Sequence, residues 1–138
     1  MKLPCYRNKN IGLLILRIVV GGLFLIHGIQ KLQDMEGTIG FFSQIGLNGF
    51  WAWVAALVET VGGAFLVLGL FVEYAALLLS VVMVVAMITV KFKFGGETLS
   101  SKFMASQIDI SLLGSCLALV FSGAGRYSLS KLCKCHFF

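Results

Sequence analysis

Four apolar stretches separated by polar segments dominate this chain. Each is close to the ~20 residues that an α-helix needs to cross about 30 Å of hydrocarbon. The pattern predicts transmembrane helices over residues 11–32, 50–70, 74–90 and 104–122. The last of them reaches spanning length only by recruiting residues 104–109, which include Ser106, Gln107 and Asp109. We therefore predict an all-α integral membrane protein, a four-helix transmembrane bundle forming one domain over residues 1–138.

Composition supports a lipid-embedded chain. Of the 138 residues, 59% are hydrophobic and 12% are charged, whereas soluble domains have about 25% charged residues. The net charge is +5, but the basic residues flank the apolar stretches, as is usual in membrane proteins. This placement predicts the lipid bilayer as a partner and no nucleic acid. With the N-terminus inside, six basic residues face the cytoplasm and four face outward, which favours short basic cytoplasmic tails at both termini.

The segment between the first two stretches, residues 33–49, is too long for a tight turn. Its apolar residues are spaced as in a short amphipathic helix that lies in the membrane interface or dips into it. Trp51 and Trp53 follow, at the depth where aromatic residues concentrate. The segment of residues 91–103 is polar and is expected to be a solvated connector.

Two copies of the pattern G-G-x-F-L-x-x-G occur at residues 21–28 and 62–69. Glycines seven residues apart share one helix face and allow two backbones to approach closely. The pattern predicts helix packing at Gly21, Gly28, Gly62 and Gly63. An inverted repeat, as found in transporters, would need a longer match.

Five charged or titratable residues fall within the apolar stretches. They are Arg17, His27, Lys31, Glu59 and Asp109. A charge at the bilayer centre costs about 2.5–3.5 kcal/mol on insertion scales, so such residues usually pair or serve function. Estimated depths predict an Arg17–Glu59 pair, with the other three in a second cluster. Two interpretations stay open: an electrostatic latch that fixes helix register, or a site for an anion, a quinone head group or a proton.

The same residues carry a resemblance to the DoxX family of small four-helix membrane proteins. The matching motifs are Leu16-Arg17 with Gly21, H-G-x-x-K at residues 27–31, E-x-x-G-G at residues 59–63 and G-x-G-R-Y-S-L at residues 123–129. The chain departs from the family where Ser130 replaces an Asp after Y-S-L, and where residues 97–107 form a longer segment.

The resemblance implies a multi-pass protein of the plasma (inner) membrane. For some relatives it implies the membrane subunit of a thiosulfate:quinone oxidoreductase, and for others a partner in oxidative-stress complexes. Family membership alone indicates architecture more firmly than activity.

The residue inventory excludes several redox mechanisms. A bis-histidine haem needs two intramembrane histidines, and only His27 lies in a predicted span. The predicted outer loops contain no cysteine pair for disulfide generation, and Cys116 lies in an apolar helix. A metal site is not predicted, although the C-terminal Cys133, Cys135 and His136 form a weak C-x-C-H candidate.

Our leading hypothesis is a membrane subunit or accessory of a redox system that uses a quinone. Arg17, His27, Lys31, Glu59 and Asp109 would line an intramembrane polar pocket in which Arg17 and Lys31 hold an anionic or carbonyl oxygen. His27 would exchange protons, because histidine titrates near neutral pH. The alternative is a non-catalytic assembly protein with structural ion pairs, and a small-solute transporter ranks third. Whether the chain is an enzyme, and whether it binds another protein or a second copy of itself, stays open.

Overall fold

The computed structural model describes residues 8–91 and 99–132, and every regular element in these ranges is helical. The elements are α1 (Lys9–Gln33), α2 (Met35–Gln44), α3 (Gly49–Leu68), α4 (Val72–Ala86), a π-helical turn (Met87–Lys91), α5 (Leu99–Ser122) and α6 (Leu129–Leu132).

Three helical segments in the described part of the chain are long and apolar enough to cross a membrane. They are Lys9–Gln33, Gly49–Leu68 and Val72–Thr89. The apolar part of α5, Gln107–Ser122, is shorter, and its preceding turns carry polar residues. This arrangement confirms the predicted all-α membrane bundle, and it explains why the fourth span was the hardest to recognise.

Packing divides the bundle into two helix pairs. The helix α1 runs along α3, and α4 packs along α5, while α3 joins the pairs through its contacts with α4. Between them lies a core of buried apolar side chains that includes Phe24, Leu66, Leu79, Leu112 and Leu119. Outward-facing residues such as Ile18, Leu57 and Phe121 are exposed, as expected for side chains that contact lipid.

Glycines set the close approach of α1 and α3. A Cβ atom built on Gly63 would lie 2.7 Å from the carbonyl oxygen of Gly21 and 2.7 Å from the backbone nitrogen of Leu25. A Cβ on Gly28 would lie 2.6 Å from the backbone nitrogen of Thr60. Because these neighbours are backbone atoms, a side chain at either glycine would force the two helices apart. The contacts also show that α1 and α3 are antiparallel.

The segment predicted to lie in the interface forms α2. Asp34 accepts a hydrogen bond from Gly37 N at 3.1 Å, so its carboxylate caps the start of this helix. No α2 residue is buried, although the helix packs against the N-terminal part of α3. Ile45, directly after α2, is 5% exposed and anchors the end of the segment.

Candidate functional site

Arg17 lies at one end of the bundle, where it joins α1 to the chain that follows α5. The side chain is 1% exposed. Its Nη1 atom donates to Ala124 O at 2.6 Å and its Nη2 atom donates to Tyr127 O at 2.6 Å. Gly69 lies against the guanidinium, since a Cβ there would be 2.6 Å from Nη1. Arg17 therefore holds the G-x-G-R-Y segment in place through backbone carbonyl groups.

The predicted Arg17–Glu59 pair is wrong, and the reason is helix register. In the antiparallel α1–α3 pair Arg17 is level with Gly69, whereas Glu59 precedes Gly69 by ten residues, or about 15 Å of helix. The prediction assumed that α1 and α3 end at the same depth. Instead, α3 extends well beyond the end of α1, and α2 packs beside the extension.

Glu59 pairs with Lys31. Lys31 Nζ lies 2.6 Å from Glu59 Oε1, and the exposed fractions of the two side chains are 32% and 2%. The second carboxylate oxygen, Oε2, is buried and has no hydrogen-bond partner among the described residues. One oxygen of the Glu59 carboxylate is therefore hydrogen-bonded, and the other has no donor among the described residues.

A polar cavity of about 360 Å³, which we call the vestibule, opens beside this pair. Its lining includes His27, Gln30, Lys31, Thr38, Glu59 and Asp109. His27 and Gln30 are exposed, and Asp109 is half-buried. The vestibule brings together four of the five residues predicted to line one polar pocket, and Arg17 lies about 21 Å away along α1.

A second cavity, the apolar groove, has a volume of about 640 Å³ and is partly enclosed. The helix α3 contributes Trp51, Ala55 and Val58, and these face Phe41 and Phe42 of α2. Leu78, Val81 and Val85 of α4 form the opposite wall. All three are about half exposed, so the groove opens on the surface that faces lipid.

The two cavities meet at the Lys31–Glu59 pair. Both are lined by Lys31, Asp34, Thr38, Glu59 and Ala86. The pair therefore stands between a lipid-facing apolar space and a polar space. A ligand with a polar head and an apolar tail matches this arrangement.

The pocket residues predicted from the sequence did not include Asp34 or Thr38, and the apolar groove was not predicted. Asp34 was recognisable, because an Asp directly before an amphipathic segment is a common helix-start signal. Thr38 Oγ1 donates to Asp34 O at 2.7 Å, a local contact with no sequence signature. No sequence pattern indicates the groove, because its walls come from three helices. The residues that each helix contributes are typical of an ordinary apolar surface.

The weak metal candidates Cys133, Cys135 and His136 lie outside the described residues. Within residues 8–91 and 99–132, no three His, Cys, Asp or Glu side chains are placed to share a metal ion.

We expect the Lys31→Met and Glu59→Gln substitutions to be non-additive. Each single change leaves a charge without its partner, whereas the double variant removes both charges. Because Glu59 is buried and Lys31 is one-third exposed, we expect a coupling free energy of about 1–3 kcal/mol. Unfolding of the four proteins in one detergent, followed by circular dichroism at 222 nm, measures it. Additive effects would show that the pair contributes nothing to stability.

Comparison with known proteins points to one family. The family model described as DoxX matches residues 12–92. A protein of Bacillus subtilis (strain 168), named "Putative oxidoreductase CatD", is 39% identical over 112 residues, which cover 79% of this chain and 84% of the relative. An uncharacterised membrane protein of Mycobacterium tuberculosis is 35% identical, covering 84% of this chain and 77% of the relative.

A more distant relative carries information on location. The inner membrane protein YqjF of Escherichia coli (strain K12) is 26% identical, covering 90% of this chain and 93% of the relative. No solved structure matches the chain.

Proposed function

The chain belongs to the DoxX family of membrane proteins, and from that premise we propose that it is a quinone-binding membrane subunit of a redox system. The observation that carries this proposal is the apolar groove that ends at the Lys31–Glu59 pair. The oxidoreductase name of the Bacillus relative supports it.

The groove suits the size and polarity of a quinone. Small-molecule sites usually have volumes of about 300–1,000 Å³, with apolar walls and a few polar groups that fix orientation. At about 640 Å³ the groove accommodates an aromatic ring and the first part of an isoprenoid tail. Its half-exposed α4 wall allows a ligand dissolved in the bilayer to reach it laterally.

The chain's own residues have distinct roles in this proposal. Lys31 donates one hydrogen bond to Glu59 and has two N–H groups left to bind a ring oxygen. His27, on the vestibule, exchanges protons with water. A bound quinone would supply reversible two-electron chemistry, and its electrons would have to come from or go to a partner subunit. We place the protein in the plasma membrane with both termini cytoplasmic, so that the vestibule faces outward.

The geometry does not favour the anion-holding role that was predicted for Arg17 and Lys31 together. Arg17 donates to two carbonyl oxygens at the opposite end of the bundle, and Glu59 balances the charge of Lys31. A neutral head group therefore fits the site better than an anion such as thiosulfate. In this proposal any anionic substrate reacts on the partner subunit.

A non-catalytic assembly protein is the second candidate, and Arg17 is the observation that favours it. Two guanidinium nitrogens of this buried arginine donate to backbone carbonyls, Nε has no hydrogen-bond partner among the described residues, and Arg17 lines neither the vestibule nor the groove. If all the intramembrane charges act in this way, the groove should hold no specific ligand. Ligand binding in the groove therefore discriminates between the two candidates.

Trp51 lines the groove and provides the measurement. In a Trp53→Phe background Trp51 is the sole tryptophan, since the chain has two. We expect a short-chain quinone, menaquinone-1, to quench its fluorescence saturably in nanodiscs. Adding Ala55→Phe should raise the Kd at least tenfold, because the phenyl group fills the space next to the pair.

The matched control is Val61→Phe in the same background. Val61 lies on α3, is 48% exposed and does not line the groove. It should leave the Kd unchanged. Quenching that rises linearly with quinone, or that is equal in the two phenylalanine variants, would favour the assembly protein.

A further inference from the structure

We infer that the site binds the reduced, hydroxyl-bearing quinol more tightly than the oxidised quinone, and that Glu59 Oε2 is the specificity-determining atom. The inference rests on the proposed function, and it adds the preferred redox state of the ligand and the atom that recognises it.

The inference starts from a carboxylate oxygen of Glu59 that has no hydrogen-bond donor among the described residues. Glu59 is 1% exposed, and its Oε2 atom has no donor among the described residues, although Oε1 accepts from Lys31. An ionised carboxylate can only accept hydrogen bonds. A buried acceptor left without a donor is unfavourable, and more so when it is charged. The site is therefore deficient in a hydrogen-bond donor.

The two redox forms of the ligand differ in the group that the site lacks. A quinone carbonyl is an acceptor and cannot satisfy Oε2. A quinol hydroxyl donates one hydrogen bond and accepts others. Its proton can be given to Glu59 Oε2 while its oxygen accepts from Lys31 Nζ. The quinol thus gains one charge-assisted hydrogen bond that the quinone lacks.

The pair lies where the two cavities meet, and because Oε2 is buried, a ligand contacts it only when the Glu59 side chain turns toward the cavity. Lys31 and Glu59 line both the apolar groove and the vestibule, so a ring held in the groove presents its polar edge to them. The walls of the groove are apolar and recognise both redox forms equally. Discrimination is therefore expected to depend on Glu59 rather than on shape.

The test compares three ligands that share one ring system and one tail, on the unaltered protein in nanodiscs. They are menaquinone-1, its quinol under argon, and the dimethyl ether of that quinol, which keeps the ring oxygens but has no hydroxyl proton. We expect calorimetric titration to give a Kd for the quinol at least tenfold below those of the quinone and the ether. A tenfold preference raises the midpoint potential of the bound couple by about 30 mV.

Variants separate a specific contact from general destabilisation. In Lys31→Met/Glu59→Gln, which removes both charges, the three Kd values should agree within about twofold. Glu36→Gln serves as the control, because Glu36 is exposed on α2 and lines neither cavity. It should retain the preference for the quinol. Should the double variant fold poorly, the comparison of the three ligands on the unaltered protein decides alone.

The outcomes distinguish this inference from the proposed function. If quinone and quinol bind with equal affinity, and Ala55→Phe weakens both, the groove is a quinone site and the role assigned to Glu59 is wrong. If none of the three ligands binds, the proposed function itself fails. Equal binding of the quinol and its ether would also overturn the inference, since the ether cannot donate to Glu59.

Discussion

Replacing Arg17 with Met is expected to destabilise the protein by about 3 kcal/mol. Methionine matches the arginine side chain as far as Nε, so the apolar part of the side chain is kept. The carbonyl groups of Ala124 and Tyr127 lose their donors at the Arg17 end of the bundle. A hydrogen bond to a charged group contributes about 1.5–3 kcal/mol, and release of the guanidinium from a buried position offsets part of the loss.

The Arg17→Met substitution should loosen the nearby backbone as well as lower the free energy of unfolding. Backbone amides of residues 123–132 should exchange with deuterium faster in Arg17→Met than in the unaltered protein, while those of α3 change less. Arg126→Met is the matched control, because the Arg126 side chain is exposed, and its stability should change by less than about 0.5 kcal/mol. Equal destabilisation by both substitutions would contradict the proposal that Arg17 holds residues 123–127 in place.

The second large loss of stability is expected at Gly63, whereas the adjacent Gly62 should tolerate alanine better. Gly63→Ala should destabilise by about 3 kcal/mol, because its Cβ would meet the backbone of Gly21 and Leu25 at 2.7 Å. Gly62→Ala should cost less than about 1 kcal/mol, since the three atoms nearest its Cβ all belong to the Leu79 side chain, at 3.1 Å or more. Thermal unfolding of both variants in one detergent measures the difference.

The first copy of the repeat supplies the control. Gly22 has no neighbouring atom within 4 Å of a built Cβ, so Gly22→Ala should stabilise α1 by about 0.5–1 kcal/mol. A similar loss of stability in Gly22→Ala and Gly63→Ala would mean that alanine is poorly tolerated in these helices in general. The close contact would then not be the cause.

The helices were predictable from the sequence because apolar stretches of bilayer length leave few alternatives. Glu59 illustrates what was not predictable. Its mid-helix position was evident, but its partner depended on how far α3 slides along α1, and the sequence does not encode that offset in any single residue. The partners of Arg17 are backbone carbonyls, which every residue possesses and no side-chain pattern reveals.

The candidate site likewise has one part that was predictable from the sequence and one part that was not. His27, Lys31, Glu59 and Asp109 were recognisable because each is a polar residue in an apolar stretch, and the vestibule brings them together. The groove depends on Phe41, Ala55 and Val81 facing a common space from three helices. Each of these residues taken alone is typical of lipid-facing surface, so only the three-dimensional arrangement shows the cavity.

The two helix pairs are tied together by Arg17 at one end of the bundle, and this affects how the pairs can move. Arg17 ties α1 to the end of α5, whereas both cavities lie toward the opposite end, next to Lys31. Splaying α4 and α5 away from α1 and α3 would therefore pivot about the tied end and widen the cavities most. We expect a bulkier ligand to be accommodated by a small rotation of one helix pair about this tied end.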